Sequence, residues 1–407
     1  MYKLKVILYK CYQNTKLVIL FFKYIIVSAQ QHSRKLTGNK KVIVFTLEDD
    51  RLYRDGDGSG RYAYLILNLF NSVGYDVYLF KKINFKKYLQ LGEYGRYMYS
   101  IKNLKIIDRL PERTENIIYA FDSAVKDVAN RKWERLIYFN HLKPVSCLLG
   151  NMINIPYFMH PRMYQSKEYD RVKSYRNNVR KMRIFSGGNI SLSWYENRKQ
   201  LWKYNQLTRR EGVRAIFKLG EDVQLRWNIE EFRQYLKQAD YINRCIILKT
   251  DRALAININE WINIVAQSEF FLCLSGTDLP MCHNVIESMS VGTIPILSYQ
   301  NWLFPALEHK KNAIVYSGKE DLVAKVKDVL MMTKEEILEI RANVLKYYDE
   351  YLSGKDFVKR FESNKGEINT IMLHPLWINN EAEEIEGQHI FNEIKKQLRG
   401  QPGLMTQ

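Results

Sequence analysis

Apolar runs of four or five residues recur along the chain, and between them apolar positions return every three or four residues. The first clear unit opens after Lys41. Val42 to Phe45 is an apolar run, a polar glycine-rich stretch follows, Tyr62 to Val73 has helical periodicity, Gly74 ends it, and Asp76 to Phe80 is a second β-like run. Strand, loop, helix and strand at these lengths predict parallel pairing. Leu104 to Ile107, Ile117 to Phe121 and Leu136 to Phe139 continue the rhythm of a doubly wound sheet.

The pattern restarts between Pro156 and Tyr195. A basic, polar connector (Ser166 to Lys181) leads into Met182 to Phe185, which runs straight into a second glycine loop, Ser186-Gly187-Gly188-Asn189. Further strands are expected at Cys245 to Leu248, Phe270 to Leu274 and Thr293 to Leu297, with helices at Glu230 to Gln238, Ile258 to Ala266, His283 to Ser290 and Asp321 to Leu330. The expected fold class is α/β, two Rossmann-like doubly wound domains in tandem. The expected divisions are a basic amphipathic segment at 1–40, an N-terminal domain at 41–165, a C-terminal domain at 166–375, and a helix and tail at 376–407. With 407 residues, 46% of them apolar, the chain can fill two such cores.

Charge narrows the partners. The formal net charge is +18, and basic residues concentrate in the first forty positions and from Arg162 to Lys249, so both regions suit phosphate. Nucleic acid is set aside, because no arginine-rich helix, zinc-finger spacing or aromatic RNA-binding signature accompanies the charge. Nucleotide sugars, lipid diphosphates and anionic membrane surfaces remain. Cys11, Cys147, Cys245, Cys273 and Cys282 are scattered singly, which excludes paired zinc ligands and a disulfide framework and fits reduced thiols in the cytoplasm. Leu17 to Val27 is apolar except for Lys23 and is preceded by Lys3, Lys5, Lys10 and Lys16. It is shorter than the roughly 20 residues of a bilayer span, and Val27-Ser28-Ala29 is a poor cleavage site. An interfacial helix at the inner face of a membrane and a segment docked on the first domain both fit.

Three stretches carry candidate chemistry. After Phe271 to Leu274, the small and polar Ser275, Gly276, Thr277 and Asp278 lead to Pro280 and a helix bearing His283, Asn284 and Glu287. Free amides and the positive end of that helix suit a diphosphate. Glu287, one turn in, can accept hydrogen bonds from ribose hydroxyls, or can simply favour the helix dipole by about 0.3–1 kcal/mol. The second stretch, Gly187, Gly188 and Asn189, lets a nucleotide approach a strand end. Among Arg198, Lys203, Arg209, Arg210 and Lys249, the preferred cations for a leaving diphosphate are Arg209 and Lys249. The third stretch is Asp55-Gly56-Asp57-Gly58-Ser59-Gly60-Arg61, whose alternate glycines admit close backbone approach or make a flexible turn. As a calcium loop it fails, because its twelfth position is Ile66, where a glutamate is required.

The stretch from Phe271 to Leu297 resembles the donor-binding segment of GT-B glycosyltransferases, and most closely the exostosin-type transferases. Ser275 to Thr277, Pro280, Glu287, Gly292, Ile294-Pro295, and Trp302 with Pro305 follow that family's order, and the likeness covers residues 182 to 350. The resemblance implies two domains facing across a cleft. The second would bind a nucleotide sugar, and the first would bind a glycan or lipid-linked acceptor, with Gly56, Gly58, Gly60 and Arg61 lining the cleft. Many retaining members carry another glutamate eight residues before the one matched by Glu287, where this chain has Leu279, so inversion is expected. An inverting transfer needs a general base, for which Asp55, Asp57, His141 and His160 are candidates and Asp57 and His160 come first. The expected function is thus sugar transfer in bacterial surface-polysaccharide biosynthesis, with the nucleotide sugar as co-substrate and no metal or other cofactor. Two alternatives stay open: a metal-dependent GT-A-type transferase using Asp55 and Asp57, and a non-catalytic nucleotide- or polyanion-binding protein.

Overall fold

The computed structural model describes residues 2–31, 41–54, 59–122, 131–140, 151–189, 201, 204–226, 228–238, 240–250, 256–276, 280–364 and 368–372. The strands are β1 (Val42–Thr46), β2 (Asp76–Phe80), β3 (Leu104–Ile107), β4 (Ile117–Phe121), β5 (Arg135–Asn140), β6 (Asn151–Asn154), β7 (Met182–Asn189), β8 (Val223–Arg226), β9 (Ile242–Thr250), β10 (Ser268–Leu272), β11 (Ile294–Leu297), β12 (Ile314–Val315) and β13 (Ile368–Met372). They form two parallel sheets in two compact units, Met1–Ile153 with Phe361–Met372, and Asn154–Arg360.

The first sheet has the order β3-β2-β1-β4-β5-β13-β6. Val44 of β1 lies opposite Tyr78 of β2 on one side and Tyr119 of β4 on the other. A parallel strand covered on both faces must be apolar on both, and β4 is buried along its whole length. The helix Tyr62–Ser72 ends where the sequence predicts. Gly74 takes φ +95°, and the Tyr75 amide donates back to the Phe70 carbonyl at 3.1 Å.

The N-terminal segment is a single helix, α1 (Tyr2–Gln31). One face docks on the first unit. The Tyr24 hydroxyl donates to the Ile83 carbonyl at 3.2 Å, and the rings of Phe21 and Tyr24 meet Phe85 at 5.1 and 5.6 Å. No helix among the described residues is long and apolar enough to cross a membrane.

Both boundaries of this unit differ from the sequence expectation. The divide falls after residue 153 and not after 165, because Met159 and Met163 are fully buried in the core of the second unit. Residues 361–372, expected in the second domain, instead complete the first sheet. β13 pairs in parallel with β5, Ile368 opposite Leu136 and Met372 opposite Asn140. Phe361 is fully buried edge-on to Phe70 at 5.2 Å, and the Arg135 guanidinium lies 4.0 Å above its ring. Phe361→Ala is therefore expected to cost about 3–5 kcal/mol. The check is a lower urea midpoint at unchanged slope for the first unit, and a midpoint equal to wild type would count against this packing.

The second sheet has the order β12-β11-β10-β7-β9-β8. β7 sits between β9 and β10, so the chain leaves β7 to build one flank and returns across it to build the other. The crevice at the carboxyl ends of β7 and β10 is thus a topological switch point, where open α/β sheets take ligands. At the opposite edge Arg180, buried just before β7, donates to the Val291 carbonyl at 2.7 Å and to Thr293 Oγ1 at 3.1 Å. Burial holds its pKa down to about 9. These bonds fix the start of β11 and leave the carboxyl edge for binding.

Candidate functional site

The residues at this switch point come from several segments. β7 does not stop at Phe185 as the sequence suggests. It continues as strand through the glycines, pairing Gly187 with Leu248, Gly188 with Lys249 and Asn189 with Thr250. Gly187 has no room for a side chain, because a Cβ there would lie 2.9 Å from Cζ3 of Trp261. Gly188 takes φ +146°, and a Cβ on it would stand 3.4 Å from Arg209 Nη1 and 3.9 Å from Asn284 Nδ2. The bare backbone of these two glycines therefore forms one wall of a pocket, with Trp261 behind it.

Arg209 reaches the pocket because the chain forces it there. Thr208 and Glu211 form a reciprocal capping box, in which the Thr208 hydroxyl accepts from the Glu211 amide at 3.2 Å and Glu211 Oε2 accepts from the Thr208 amide at 3.1 Å. That fixes Arg209 as the first residue of the helix Arg209–Ile216. Its Nε donates to the Ser275 carbonyl at 3.0 Å and its Nη2 to Cys282 Sγ at 3.2 Å. The guanidinium is thereby held in one plane across the loop that follows β10.

The third segment is the helix His283–Ser290. Cys282 precedes it without a side-chain cap, and its first turn holds no acidic residue. The positive end of the helix therefore faces the crevice with no carboxylate of its own first turn to neutralise it. Asn284 lies at this end and donates to the Gly187 carbonyl at 3.4 Å. Gly187, Gly188, Arg209, Leu274 and Asn284 line a small pocket, floored by Ile247, Leu248 and Leu272. Backbone amides, an arginine, an amide side chain and a helix N-terminus together make an anion site.

Glu287 is placed differently from a surface ligand. It is 1% exposed; Oε1 accepts from the His160 amide at 2.9 Å and Oε2 from the Trp261 indole Nε1–H at 2.7 Å. It ties the segment before the helix Pro161–Gln165 to the residue that backs Gly187. His160 caps that helix, its Nδ1 accepting from the Arg162 amide at 3.3 Å. A neutral imidazole that accepts at Nδ1 carries its proton at Nε2. In His160, Nδ1 is thus engaged in capping the helix. Its ring meets that of His283 edge-on at 5.0 Å, bringing the two histidines together beside the helix N-terminus.

Of the other residues singled out by the sequence, Ser275 is 1% exposed and donates to Gln206 Oε1 at 3.4 Å, so it shapes the loop. The Gly276 amide donates to the Pro280 carbonyl at 3.0 Å and closes that loop. In the first unit Gly60 is buried in a short turn, and the Arg61 guanidinium lies 5.5 Å above the Tyr62 ring. Asp55, Gly56, Asp57, Gly58, His141, Arg198, Lys203, Thr277, Asp278 and Leu279 lie outside the described residues, as do the side chains of Asn189 and Lys249. Sequence reasoning missed Trp261, Gln206 and Asp122. Asp122, buried at the end of β4, accepts from the Glu48 and Asp49 amides at 2.8 and 3.0 Å and holds the loop after β1. The signal for Trp261 was available, since an indole on an apolar helix face must find an acceptor when buried.

No family model matches the chain, and no curated protein matches it. Among solved structures it is similar to HepE of Anabaena in complex with UDP, at 9% identity and TM-score 0.41, over 79% of this chain and 98% of that one. It is also similar to a glycosyltransferase from Rickettsia africae, at 10% identity and TM-score 0.45, over 81% and 99%. A third is sucrose-phosphate synthase from Thermosynechococcus elongatus, at 9% identity and TM-score 0.39, over 79% and 98%.

Proposed function

We propose that this protein is an inverting GT-B glycosyltransferase of exostosin type. In this reading it transfers a sugar from a nucleotide-diphosphate donor to a glycan or lipid-linked acceptor, at the inner face of a membrane, in surface-polysaccharide biosynthesis. The observation that carries the proposal is the convergence of Arg209, Asn284 and an uncapped helix N-terminus over the Gly187–Gly188 backbone, at the switch point of the second sheet. A nucleoside diphosphate is the ligand whose charge and shape use all four.

In the proposed reaction the acceptor hydroxyl attacks the anomeric carbon as the bond to the β-phosphate oxygen breaks. The bonding pair leaves on the diphosphate, where Arg209 and the helix end stabilise the growing charge without a metal. His160 and His283, at the same edge, donate to that leaving group. The acceptor proton goes to a general base, for which we propose Asp57.

The test is a thermal-shift series with UDP, GDP and CMP, each with and without EDTA, followed by transfer from the sugar of whichever nucleotide stabilises. One nucleoside diphosphate is expected to raise Tm equally with and without chelator. Stabilisation that EDTA removes would point to a metal-dependent transferase, stabilisation without turnover to a nucleotide-binding protein, and no shift with any nucleotide would end the donor-site reading.

A further inference from the structure

The largest concentration of exposed apolar side chains among the described residues is on α1. Leu17, Val18, Ile19, Phe22, Ile25 and Ile26 are each between 45% and 59% exposed, while the rings of Phe21 and Tyr24 meet Phe85 of the first unit. At about 100° per residue these six positions sweep an arc of about 200°. Lys16 and Lys23 project at its edge, both exposed. The whole helix contains lysines at 3, 5, 10, 16 and 23 and no aspartate or glutamate.

This is a costly surface to leave in water. Scattered exposed apolar residues are ordinary, but a contiguous patch marks an interaction site. The charge identifies the partner. An apolar face edged by lysines, on a helix without a single carboxylate, matches the two layers of an anionic bilayer surface, acyl chains below and phosphates at headgroup level. A protein groove or a second copy of the same basic helix offers no such pairing, and two copies would repel. We infer that α1 lies in the plane of an anionic membrane, with the Leu17–Ile26 face sunk below the headgroups, Lys16 and Lys23 on lipid phosphates, and the Tyr24 face holding the first unit against the surface. The inference stands independently of the transferase reading, because it uses no residue of the pocket.

The experiment is flotation of the full chain with phosphatidylcholine vesicles, with and without phosphatidylglycerol. Wild type is expected to float with the anionic vesicles and to be released by salt. Phe22→Asp with Ile26→Asp, both on the exposed arc, should weaken binding roughly tenfold or more. Lys16→Glu with Lys23→Glu should erase the preference for phosphatidylglycerol. Circular dichroism and nucleotide-induced stabilisation, unchanged in both double variants, would show that they fold and that the pocket is untouched. Equal flotation of wild type and the Phe22/Ile26 variant would overturn the inference. So would a dimer, seen by light scattering, that those substitutions dissociate while vesicle binding is absent throughout. Failure of nucleotide to stabilise the protein would leave this result standing.

Discussion

Arg209→Ala is expected to lower affinity for the stabilising nucleoside diphosphate by about 10- to 100-fold, the worth of a charge-assisted hydrogen bond. The loss should exceed that of any neighbouring lysine. Arg209 is fixed at both ends, by the capping box behind it and by Ser275 and Cys282 beneath it, so its charge stands over Gly188 before any ligand arrives. Arg209→Lys keeps the charge and loses the planar fork that reaches two partners at once. It should restore only part of the affinity and leave the Ser275 carbonyl without this donor. Calorimetric titration of the three proteins settles the matter, and an alanine variant that binds like wild type would remove Arg209 from the site.

For Glu287→Ala the expected result is a loss of stability in the absence of any ligand, by about 2–5 kcal/mol. Two partly buried donors, the His160 amide and the Trp261 indole, would lose their buried acceptor at once, each at up to about 1–3 kcal/mol. Glu287→Gln keeps one acceptor oxygen and should fall between. Loosening Trp261 also loosens the wall behind Gly187, so transfer should fall with stability. Urea unfolding of the ligand-free protein separates this role from that of a ribose ligand. If Glu287→Ala unfolds at the wild-type midpoint but binds nucleotide weakly, the carboxylate is a ligand and not a clamp.

Local pattern was enough for the elements and not for their long-range partners. β3, β4 and the helix His283–Ser290 lie at the positions that periodicity indicates, because a buried parallel strand and a glycine-ended helix write their limits into adjacent residues. The glycines at 187 and 188 were visible as a place of backbone approach, although the strand continues through them, since strand pairing with β9 supplies hydrogen bonds that glycine's low strand preference does not forbid. β13 was invisible. Ile-Asn-Thr-Ile-Met is a weak alternation, and what makes it a strand is β5, more than two hundred residues earlier. Separation along the chain also hid the Glu287 clamp. Its acceptor was legible as a helix carboxylate, but its donors, His160 and Trp261, lie 127 and 26 residues away, on other elements that no local pattern ties to it.

The return of Phe361–Met372 to the first sheet has a consequence for how the chain is made. A ribosome delivers residues 1–153 first, yet β5 must wait for β13 before its second edge is covered. Residues 154–360, which hold every strand of the second sheet, emerge in between, so those strands all exist before β13 does. The nascent first sheet therefore spends the synthesis of the whole second unit with an open edge at β5, an interval in which strand edges invite wrong pairing. The order of completion is the reverse of the order of synthesis: the unit begun second can close first, and the unit begun first closes last.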